Sequence, residues 1–248
     1  MSDADPVLAV EGVSVRFGGV QALDAVSLSA YAGRVTGLIG PNGAGKTTMF
    51  NVITGLETPS SGRVSIGGRD VSGLSTHRRA RLGLARTFQR LEIFGSMTAR
   101  QNVLAAAEFR NGWSRDKRDA GAVADEVLAR VGLTAVADAR ADALPTGLAR
   151  LVELGRALAT RPALLLLDEP GSGLDSTESE ALGDLLLDLA ADGMAVLLVE
   201  HDVELVMRVS DTVHVLDFGR RIASGSPAEV QAHPDVQAAY LGAEAGAA

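Results

Sequence analysis

Residues 40–47 read GPNGAGKT, and this stretch fits the pattern G-x-x-x-x-G-K-[ST] at every fixed position. A β-type segment, RVTGLIG, runs up to Gly40, and the helical pattern KTTMFNVITGL begins at Lys46. Glycines let backbone N–H groups wrap a phosphate, and the first turn of a helix adds partial positive charge. The stretch therefore predicts a phosphate-binding loop, or P-loop; the alternative is a glycine-rich turn of no consequence.

The predicted P-loop supplies most of the candidate ligand-binding residues. Lys46 is expected to reach the terminal phosphates, and the Thr47 hydroxyl is expected to ligate Mg²⁺. The full candidate set from this stretch is Gly40, Pro41, Asn42, Gly43, Ala44, Gly45, Lys46, Thr47 and Thr48.

Composition limits the classes of protein that the chain can be. With 46% hydrophobic and 22% charged residues among 248, it is typical of a globular protein. Its longest apolar runs, ALLLL (163–167) and AVLLV (195–199), are far shorter than the roughly 20 residues of a membrane-spanning helix and indicate buried strands. A net charge of −8 argues against nucleic acid as the main partner. The acidic N-terminal sequence MSDADPVLAVEG lacks the pattern of a secretory signal, so we expect a cytosolic protein.

The order of segments predicts the architecture. Short β-type segments fill the first forty residues, helical patterns dominate from about Thr76 to Thr160, and strands alternate with helices from Pro162 onward. Such alternation is typical of a parallel sheet covered by helices. The predicted fold class is α/β: a P-loop NTPase core with an N-terminal antiparallel β subdomain and an inserted helical subdomain.

A second acidic motif follows one of the predicted buried strands. LLLLDEP (164–170) places two adjacent carboxylates directly after a leucine run. Asp168 is the candidate for Mg²⁺, through a water molecule, and Glu169 is the candidate base that orients the attacking water. The alternative is that these residues only form a polar exit from the strand.

Five short motifs in this order resemble the ATP-binding subunit of an ABC transporter. After the P-loop come RTFQ (86–89), DEP (168–170), SGLD (172–175) and VEH (199–201). The resemblance implies ATP as the nucleotide, Gln89 as a residue that contacts Mg²⁺ and the attacking water, and His201 as a contact of the γ-phosphate.

Two further residues take a role from the resemblance. Asp175 would be the acid of the family's D-loop and one of the residues that bind the nucleotide, and Phe17, in VRFGG, would stack on adenine. Each residue also has an ordinary structural explanation. Gln89 can be a solvated side chain, His201 a satisfied histidine at a strand end, Asp175 a helix-capping partner of Glu178, and Phe17 part of the core.

The stretch LPTGL (144–148) stands where the family usually has LSGGQ, a signature that binds the γ-phosphate held by a second subunit. Leu144, Pro145, Thr146 and Gly147 are the aligned candidates, with proline in place of the serine and threonine in place of the first glycine. Proline is tolerated in a first helical turn, where we place it. One lost hydrogen bond to a charged phosphate is worth about 1.5–3 kcal/mol, so we expect a weaker contact through the Gly147 N–H and the helix dipole. The alternative is an ordinary helix start.

Within the family, three stretches resemble ATP-binding subunits of branched-chain amino-acid importers: RTFQRLEIFGSMTARQNVL (86–104), VEHDVELVMRVSD (199–211) and HPDVQAAYLGAE (233–244). Urea or amide importers and lipid or lipopolysaccharide exporters remain alternatives, as do a soluble ABC protein and a degenerate regulatory subunit that binds ATP without hydrolysing it.

The resemblance covers nearly the whole chain and implies a single ABC ATPase domain. Its RecA-like core and β subdomain would occupy 1–75 and 162–225, the helical subdomain 76–161 and a C-terminal helical tail 226–248. The implied partners are membrane permease subunits, a second ABC ATPase subunit and, indirectly, a solute-binding protein, at the inner face of the cell membrane.

A basic cluster near Gln89 consists of His77, Arg78, Arg79, Arg81, Arg86 and Arg90. On a predicted helix such residues usually form a solvated face, and here they can instead contact the membrane subunit. The apolar LEIF (91–94) beside them predicts a docking groove for a protein partner.

Overall fold

The computed structural model describes residues 5–245 of the chain, with side chains described as far as Ala239. The strands are β1 (Leu8–Phe17), β2 (Val20–Ala30), β3 (Arg34–Ile39), β4 (Ser61–Ile66), β5 (Arg69–Asp70), β6 (Leu84–Arg86), β7 (Leu164–Asp168), β8 (Ala195–Val199), β9 (Thr212–Asp217) and β10 (Arg220–Gly225). The helices are α1 (Lys46–Thr54), α2 (Thr76–Arg81), α3 (Ala99–Trp113), α4 (Ala120–Arg130), α5 (Thr146–Ala159), α6 (Ser176–Ala191), α7 (Val203–Val209), α8 (Pro227–Gln231) and α9 (Pro234–Ala245).

The strands form two sheets, which confirms the predicted fold class. Four antiparallel strands in the order β2-β1-β4-β5 make the N-terminal sheet. Six strands in the order β10-β9-β3-β8-β7-β6 make the central sheet, which is parallel except for the β9–β10 hairpin. The predicted parallel sheet therefore carries one antiparallel edge.

Strand β7 of the central sheet is buried on both faces, because apolar layers cover both sides of the sheet. Leu164 and Leu166 pack with α1 and the antiparallel sheet, whereas Leu165 and Leu167 pack with the helices on the opposite face. Successive side chains of a strand point to opposite faces, so a continuous leucine run suits this position. The strand ends at Asp168, at the carboxyl edge of the sheet.

One stretch of the predicted helical region forms part of the sheet. The pattern HRRARLGLA predicted a helix, but α2 ends at Arg81 and Leu84–Arg86 pair with β7 as a parallel edge strand. Gly83, with φ 95°, makes the turn between the two elements. A three-residue strand is too short to show a periodicity of its own, and pairing with β7 decides its conformation. The proposed domain boundaries remain a prediction.

The expectation of a solvated basic face is wrong for two of the six residues. His77, Arg78, Arg81 and Arg90 are exposed, but Arg79 is buried and Arg86 nearly so. Arg79 donates hydrogen bonds to the carbonyl oxygens of Val52 (2.6 Å) and Ile53 (2.8 Å) at the end of α1. The Val52 carbonyl also accepts the N–H of the C-cap residue Gly55 (3.2 Å), and the guanidinium adds a cation at the negative end of the helix dipole.

The C-terminal tail is helical, in α8 and α9. Residues 246–248 of the predicted helical tail lie outside the described residues. Across residues 5–245, none of the helices is both long enough and apolar enough to cross a bilayer.

Candidate nucleotide-binding site

The P-loop needs glycine at two positions because neighbouring backbone lies against it. Gly40 has φ 150°, and a Cβ added there would lie 2.1 Å from the Leu216 carbonyl oxygen. Gly45 has φ 106°, and its Cβ would lie 2.8 Å from the Ala22 carbonyl oxygen. Both conformations favour glycine, and both contacts exclude any side chain. The loop therefore turns tightly against β9 and β2 before α1 begins at Lys46.

The Lys46 ammonium lies folded over this loop. It donates to the carbonyl oxygens of Gly40 (2.5 Å) and Pro41 (3.1 Å). Burial lowers the pKa of Lys46, while the charges of Glu169 and Asp168 act in the opposite direction. The lysine is thus held at the helix N-terminus beside two carboxylates.

A pocket of about 290 Å³ brings most of the predicted site residues together. Its lining residues are Ala22, Asn42, Gly43, Ala44, Gly45, Lys46, Thr47, Thr48, Gln89, Glu169 and His201. The P-loop, Glu169 directly after β7 and His201 two residues after β8 meet here because the carboxyl ends of parallel strands share one edge of the sheet. Three predicted candidates for chemistry, Gln89, Glu169 and His201, face one cavity.

Within this pocket, two side chains converge on the Glu169 carboxylate. His201 Nε2 lies 2.8 Å from Glu169 Oε1, and Gln89 Nε2 donates to the same oxygen over 3.2 Å. Glu169 has φ 54°, a left-handed conformation that is uncommon for a residue with a side chain, and its N–H donates to Val199 O (2.8 Å). Strained backbone of this kind clusters at functional sites.

Glu200 is a site residue that the sequence reasoning missed. Its carboxylate accepts hydrogen bonds from the N–H groups of Gly171 (2.6 Å) and His201 (3.1 Å). Burial raises the pKa of Glu200, although the two N–H groups act against this. The side chain fixes the turn after Glu169 and the backbone of His201. An acid next to His201, directly after an apolar strand, was the available signal.

Arg86 was predicted as a surface residue, but it forms a buried ion pair with Asp168. The Arg86 guanidinium lies 2.8 Å from Asp168 Oδ2, with 6% and 2% of the two side chains exposed. It also donates to Asn51 Oδ1 (2.7 Å) and lies over the rings of Phe50 and Phe88, 5.3 Å and 4.8 Å from their centroids. Asp168 does not line the pocket directly. One of its oxygens is held by Arg86, and the other lies outside that pair.

The donor set predicted for Mg²⁺ fits the metal. Thr47, Gln89 and Asp168 offer a hydroxyl, an amide oxygen and a carboxylate, which are the hard oxygen donors that Mg²⁺ prefers. Thr47 and Gln89 line the pocket, and Asp168 lies directly before Glu169, which does. A metal-bound water can bridge to a carboxylate placed in this way, because Mg²⁺ usually keeps several waters.

The signature candidates lie outside the lining of this pocket. The helix α5 begins at Thr146, with Pro145 as its N-cap (φ −52°, ψ 151°). The proline was predicted to lie within the first helical turn, but it directly precedes that turn. The Pro145 carbonyl accepts the N–H of Ala149 (3.0 Å), so the helix start is intact without a side-chain cap. At Gly147 an added Cβ would lie 3.0 Å from the Gly173 carbonyl oxygen. The start of α5 therefore packs against the SGLD loop, and Leu144 precedes it.

Asp175 and Phe17 also lie outside the pocket lining. Asp175 caps α6 in a reciprocal box: it accepts the Glu178 N–H (2.8 Å), and Glu178 accepts the Asp175 N–H (3.0 Å). The capping explanation for Asp175 is therefore correct, and its role as a D-loop acid that binds nucleotide stays a prediction. Phe17 is 49% exposed at the end of β1, so it is not a core residue.

A second, larger cavity of about 580 Å³ lies beside the Gln89 segment. Its aromatic lining residues are Phe88, Phe94, Phe109 and Trp113, and its charged lining residues are Arg86, Glu92, Glu153 and Arg156. Two residues of the predicted LEIF groove, Glu92 and Phe94, belong to it. We call this cavity the aromatic groove.

A P-loop, a lysine at its helix N-terminus and a glutamate held by glutamine and histidine together define the site of a nucleoside triphosphate hydrolase. The family model described as "ABC transporter" matches residues 23–172, and that described as "Branched-chain amino acid ATP-binding cassette transporter" matches residues 220–246. The chain belongs to the ABC transporter family, as an ATP-binding cassette that hydrolyses ATP in coupling to transport.

Relatives of the same length support this assignment. The chain is 40% identical to the high-affinity branched-chain amino acid transport ATP-binding protein BraF of Pseudomonas aeruginosa, over 96% of this chain and 98% of the relative. It is 37% identical to LivG of Escherichia coli, over 96% and 99%. It is also 37% identical to the lipopolysaccharide export system ATP-binding protein LptB of Acidithiobacillus ferridurans, over 88% and 89%.

Solved structures give the same fold. An ATP-binding cassette of an ABC transporter superposes with a TM-score of 0.86 at 32% identity, covering 96% of this chain and 99% of that chain. A cassette in its ADP conformation superposes with a TM-score of 0.83 at 31% identity, covering 96% and 100%.

Proposed function

We propose that this chain powers the uptake of branched-chain or related hydrophobic amino acids by hydrolysing ATP. The main support for ATP hydrolysis is that Gln89 and His201 both contact the Glu169 carboxylate, in a pocket lined by the P-loop. The solute class is supported by the match at residues 220–246 and by BraF and LivG, which are named for branched-chain amino acids. The C-terminal match favours this class over lipopolysaccharide export.

The residues of the pocket divide the work of hydrolysis. The loop amides and the N-terminus of α1 bind the phosphates, and Lys46 turns from the loop carbonyls to the terminal phosphate oxygens. Glu169 accepts a hydrogen bond from the attacking water and orients it, while His201 and Gln89 hold that carboxylate in place. We also assign His201 a hydrogen bond to the γ-phosphate. Such positioning supplies most of the catalysis in phosphoryl transfer.

Mg²⁺ is the metal we assign to this site, with Thr47, Gln89 and Asp168 as the residues that would hold it. When bound, the metal neutralises charge on the phosphate oxygens. Arg86 orients Asp168 in its buried position and supplies a compensating charge.

A second ATPase subunit is needed to complete the site. The start of α5, Leu144 to Gly147, lies outside the pocket of its own chain, as does Asp175. In a head-to-tail dimer both would face the nucleotide of the partner subunit. The signature would bind there through the Gly147 N–H and the helix dipole, with fewer contacts than a serine and two glycines provide.

The aromatic groove is our candidate for the permease contact. Its volume and aromatic lining suit an inserted protein segment, and its lining includes Phe88, the neighbour of Gln89. Docking there places the subunit on the inner face of the cell membrane, with the solute-binding protein engaged only through the permease. The acidic net charge of −8 gives no basis for a nucleic-acid partner.

Glu169→Gln tests the proposed reaction. The substitution removes the carboxylate charge and keeps the shape, so we expect ATP binding within a fewfold of wild type and turnover lowered by at least about a hundredfold. Glu229→Gln is the matched control, since Glu229 caps α8 and does not line the pocket. ATP affinity and phosphate release should be measured in the same preparation. Undiminished turnover in Glu169→Gln would overturn the assignment of Glu169.

A further inference from the structure

One face of α5 holds the backbone of the segment that contains Gln89. Glu153 Oε1 accepts the N–H groups of Phe88 (3.2 Å) and Glu92 (3.4 Å). Arg150 donates to the carbonyl oxygens of Phe88 (2.6 Å) and Gln89. Residues three apart on a helix share a face, so Glu153 and Arg150 grip the segment from the same side.

This segment depends on those side chains for its shape. Residues 87–94 form neither helix nor strand. The Thr87 N–H donates to the Leu166 carbonyl (2.9 Å) and the Phe94 carbonyl accepts the Met97 N–H (3.0 Å), but the other N–H and C=O groups lack the partners that regular structure supplies. The far end is held in the same manner, because Asn102 Oδ1 accepts the Phe94 N–H (2.9 Å) and Asn102 Nδ2 donates to the Phe94 carbonyl (3.0 Å). Side chains of two helices thus replace a backbone ladder.

Glu153 is placed inside the protein to do this. It is 5% exposed and pairs with Arg150 over 3.4 Å, where 10% of the arginine side chain is exposed. Burial raises the pKa of Glu153, and the N–H groups of Phe88 and Glu92 together with the Arg150 charge oppose that rise. Burying a carboxylate costs free energy unless it is paired and hydrogen-bonded. The hydrogen-bond partners of Glu153 therefore indicate its structural role, which is to fix the backbone of Phe88 and Glu92.

The segment 87–94 contributes side chains to both the nucleotide pocket and the aromatic groove. The Gln89 side chain reaches Glu169 in the nucleotide pocket, while Phe88 and Glu92 line the aromatic groove. Glu153 itself lines the groove. A protein segment entering the groove therefore meets the same residues that fix the backbone beside Gln89.

We propose that Glu153 is a positioning residue for Gln89: by holding the N–H groups of Phe88 and Glu92, it sets the Gln89 amide against Glu169 and links the aromatic groove to the nucleotide pocket. This inference rests on the proposed function, because it assigns Gln89 a part in ATP hydrolysis. It adds a residue that touches neither nucleotide nor metal and acts through the backbone of its neighbours.

Two substitutions of Glu153 distinguish the effect of its hydrogen-bond acceptor from the effect of its negative charge. Glu153→Gln keeps an oxygen that can accept both N–H groups, and we expect its kcat to stay within about threefold of wild type. Glu153→Leu removes the acceptor, and we expect kcat to fall at least about tenfold with KM for ATP changed less than about threefold, because Lys46 and the loop amides are unaltered. Leu128→Ala is the control for lost stability, since Leu128 is 2% exposed in the helical core and makes no hydrogen bond to the segment 87–94.

The single tryptophan of the chain reports on the groove in the same proteins. Trp113 lines the aromatic groove with Phe88. We expect MgATP to change Trp113 emission in wild type and in Glu153→Gln, and to leave it unchanged in Glu153→Leu. Thermal unfolding of each variant defines the temperature at which all are folded, and kinetics and fluorescence are measured below it.

Each outcome bears on the proposal. Full kcat in Glu153→Leu, an equal loss in Leu128→Ala, or an emission change that survives in Glu153→Leu would overturn it. A wild-type protein that binds ATP but never hydrolyses it, alone or with its permease, would instead overturn the proposed function. Hydrolysis by wild type with unchanged kcat in Glu153→Leu would leave that function standing and remove only the role of Glu153.

Discussion

Replacing Arg86 by methionine should destabilise the protein more than any surface charge substitution. Arg86 and Asp168 lie 2.8 Å apart, with 6% and 2% of their side chains exposed. Methionine keeps much of the volume and removes the charge, so a buried carboxylate is left without its partner. Breaking a buried pair in this manner costs about 3–5 kcal/mol, whereas replacing both partners with neutral groups costs far less.

The same residue makes further contacts that the substitution removes. Arg86 donates to Asn51 Oδ1 over 2.7 Å, a hydrogen bond worth about 1 kcal/mol net. For a chain of this size each kcal/mol lowers Tm by about 2–4 °C, so a combined loss of about 4–6 kcal/mol should lower the Tm of Arg86→Met by roughly 8–24 °C. Arg220→Met is the matched control, because the Arg220–Asp24 pair has a similar distance of 2.7 Å but 72% and 36% exposure. Surface pairs contribute less than about 1 kcal/mol.

A double-mutant cycle decides whether the effect comes from the pair. Urea unfolding of wild type, Arg86→Met, Asp168→Asn and the double variant gives the coupling energy, which we expect to reach at least about 2 kcal/mol. The double variant should be more stable than Arg86→Met alone, since its buried carboxylate is gone. A loss below about 1 kcal/mol in Arg86→Met, with additive effects in the double variant, would refute the reasoning.

Two further predictions concern the signature and pH. Pro145→Ser restores a hydroxyl at the N-cap of α5, so we expect turnover of the assembled transporter to rise on the order of tenfold, and unchanged turnover would count against a weakened signature. Burial, with help from the Arg221 charge, lowers the pKa of His214 from 6.5 to about 4. Between these values the unfolded chain binds the proton and the folded chain does not, so this stabilisation is present above pH 6.5 and about 3 kcal/mol of it is lost by pH 4. Urea unfolding of His214→Gln across this range should show a shallower decline than wild type, and equal slopes would contradict the prediction.

Much of the central sheet could be predicted from the sequence because its signals are local. The strand before Gly40, the helix after Gly45 and the leucine run of β7 each carry their own pattern, and the structure has all three. The edge strand Leu84–Arg86 could not be predicted, because three residues between a glycine and a loop show no period and gain their conformation from β7.

The residues of the site that could not be predicted from the sequence are buried charged residues. Arg86, Glu153 and Glu200 were assigned to the surface or given no role, since charged residues are usually exposed. Each is buried because a particular partner meets it across a long sequence separation: Asp168 for Arg86, and backbone N–H groups for the two glutamates. Partners that lie 29 to 82 residues away cannot be found from local periodicity.

The contacts of Lys46 with Gly40 and Pro41 bear on the heat released when nucleotide is captured. Its ammonium already donates two of its three possible hydrogen bonds to the loop, so for these two the incoming phosphate only exchanges the partner. The lysine therefore contributes less to the enthalpy of binding than an ammonium without these partners would. Because the loop is already folded around its own cation, little backbone ordering remains for binding to impose. Calorimetry on this subunit should therefore show ATP binding with a less favourable enthalpy than the number of contacts suggests. The binding entropy should be more favourable than for a loop that folds only on binding.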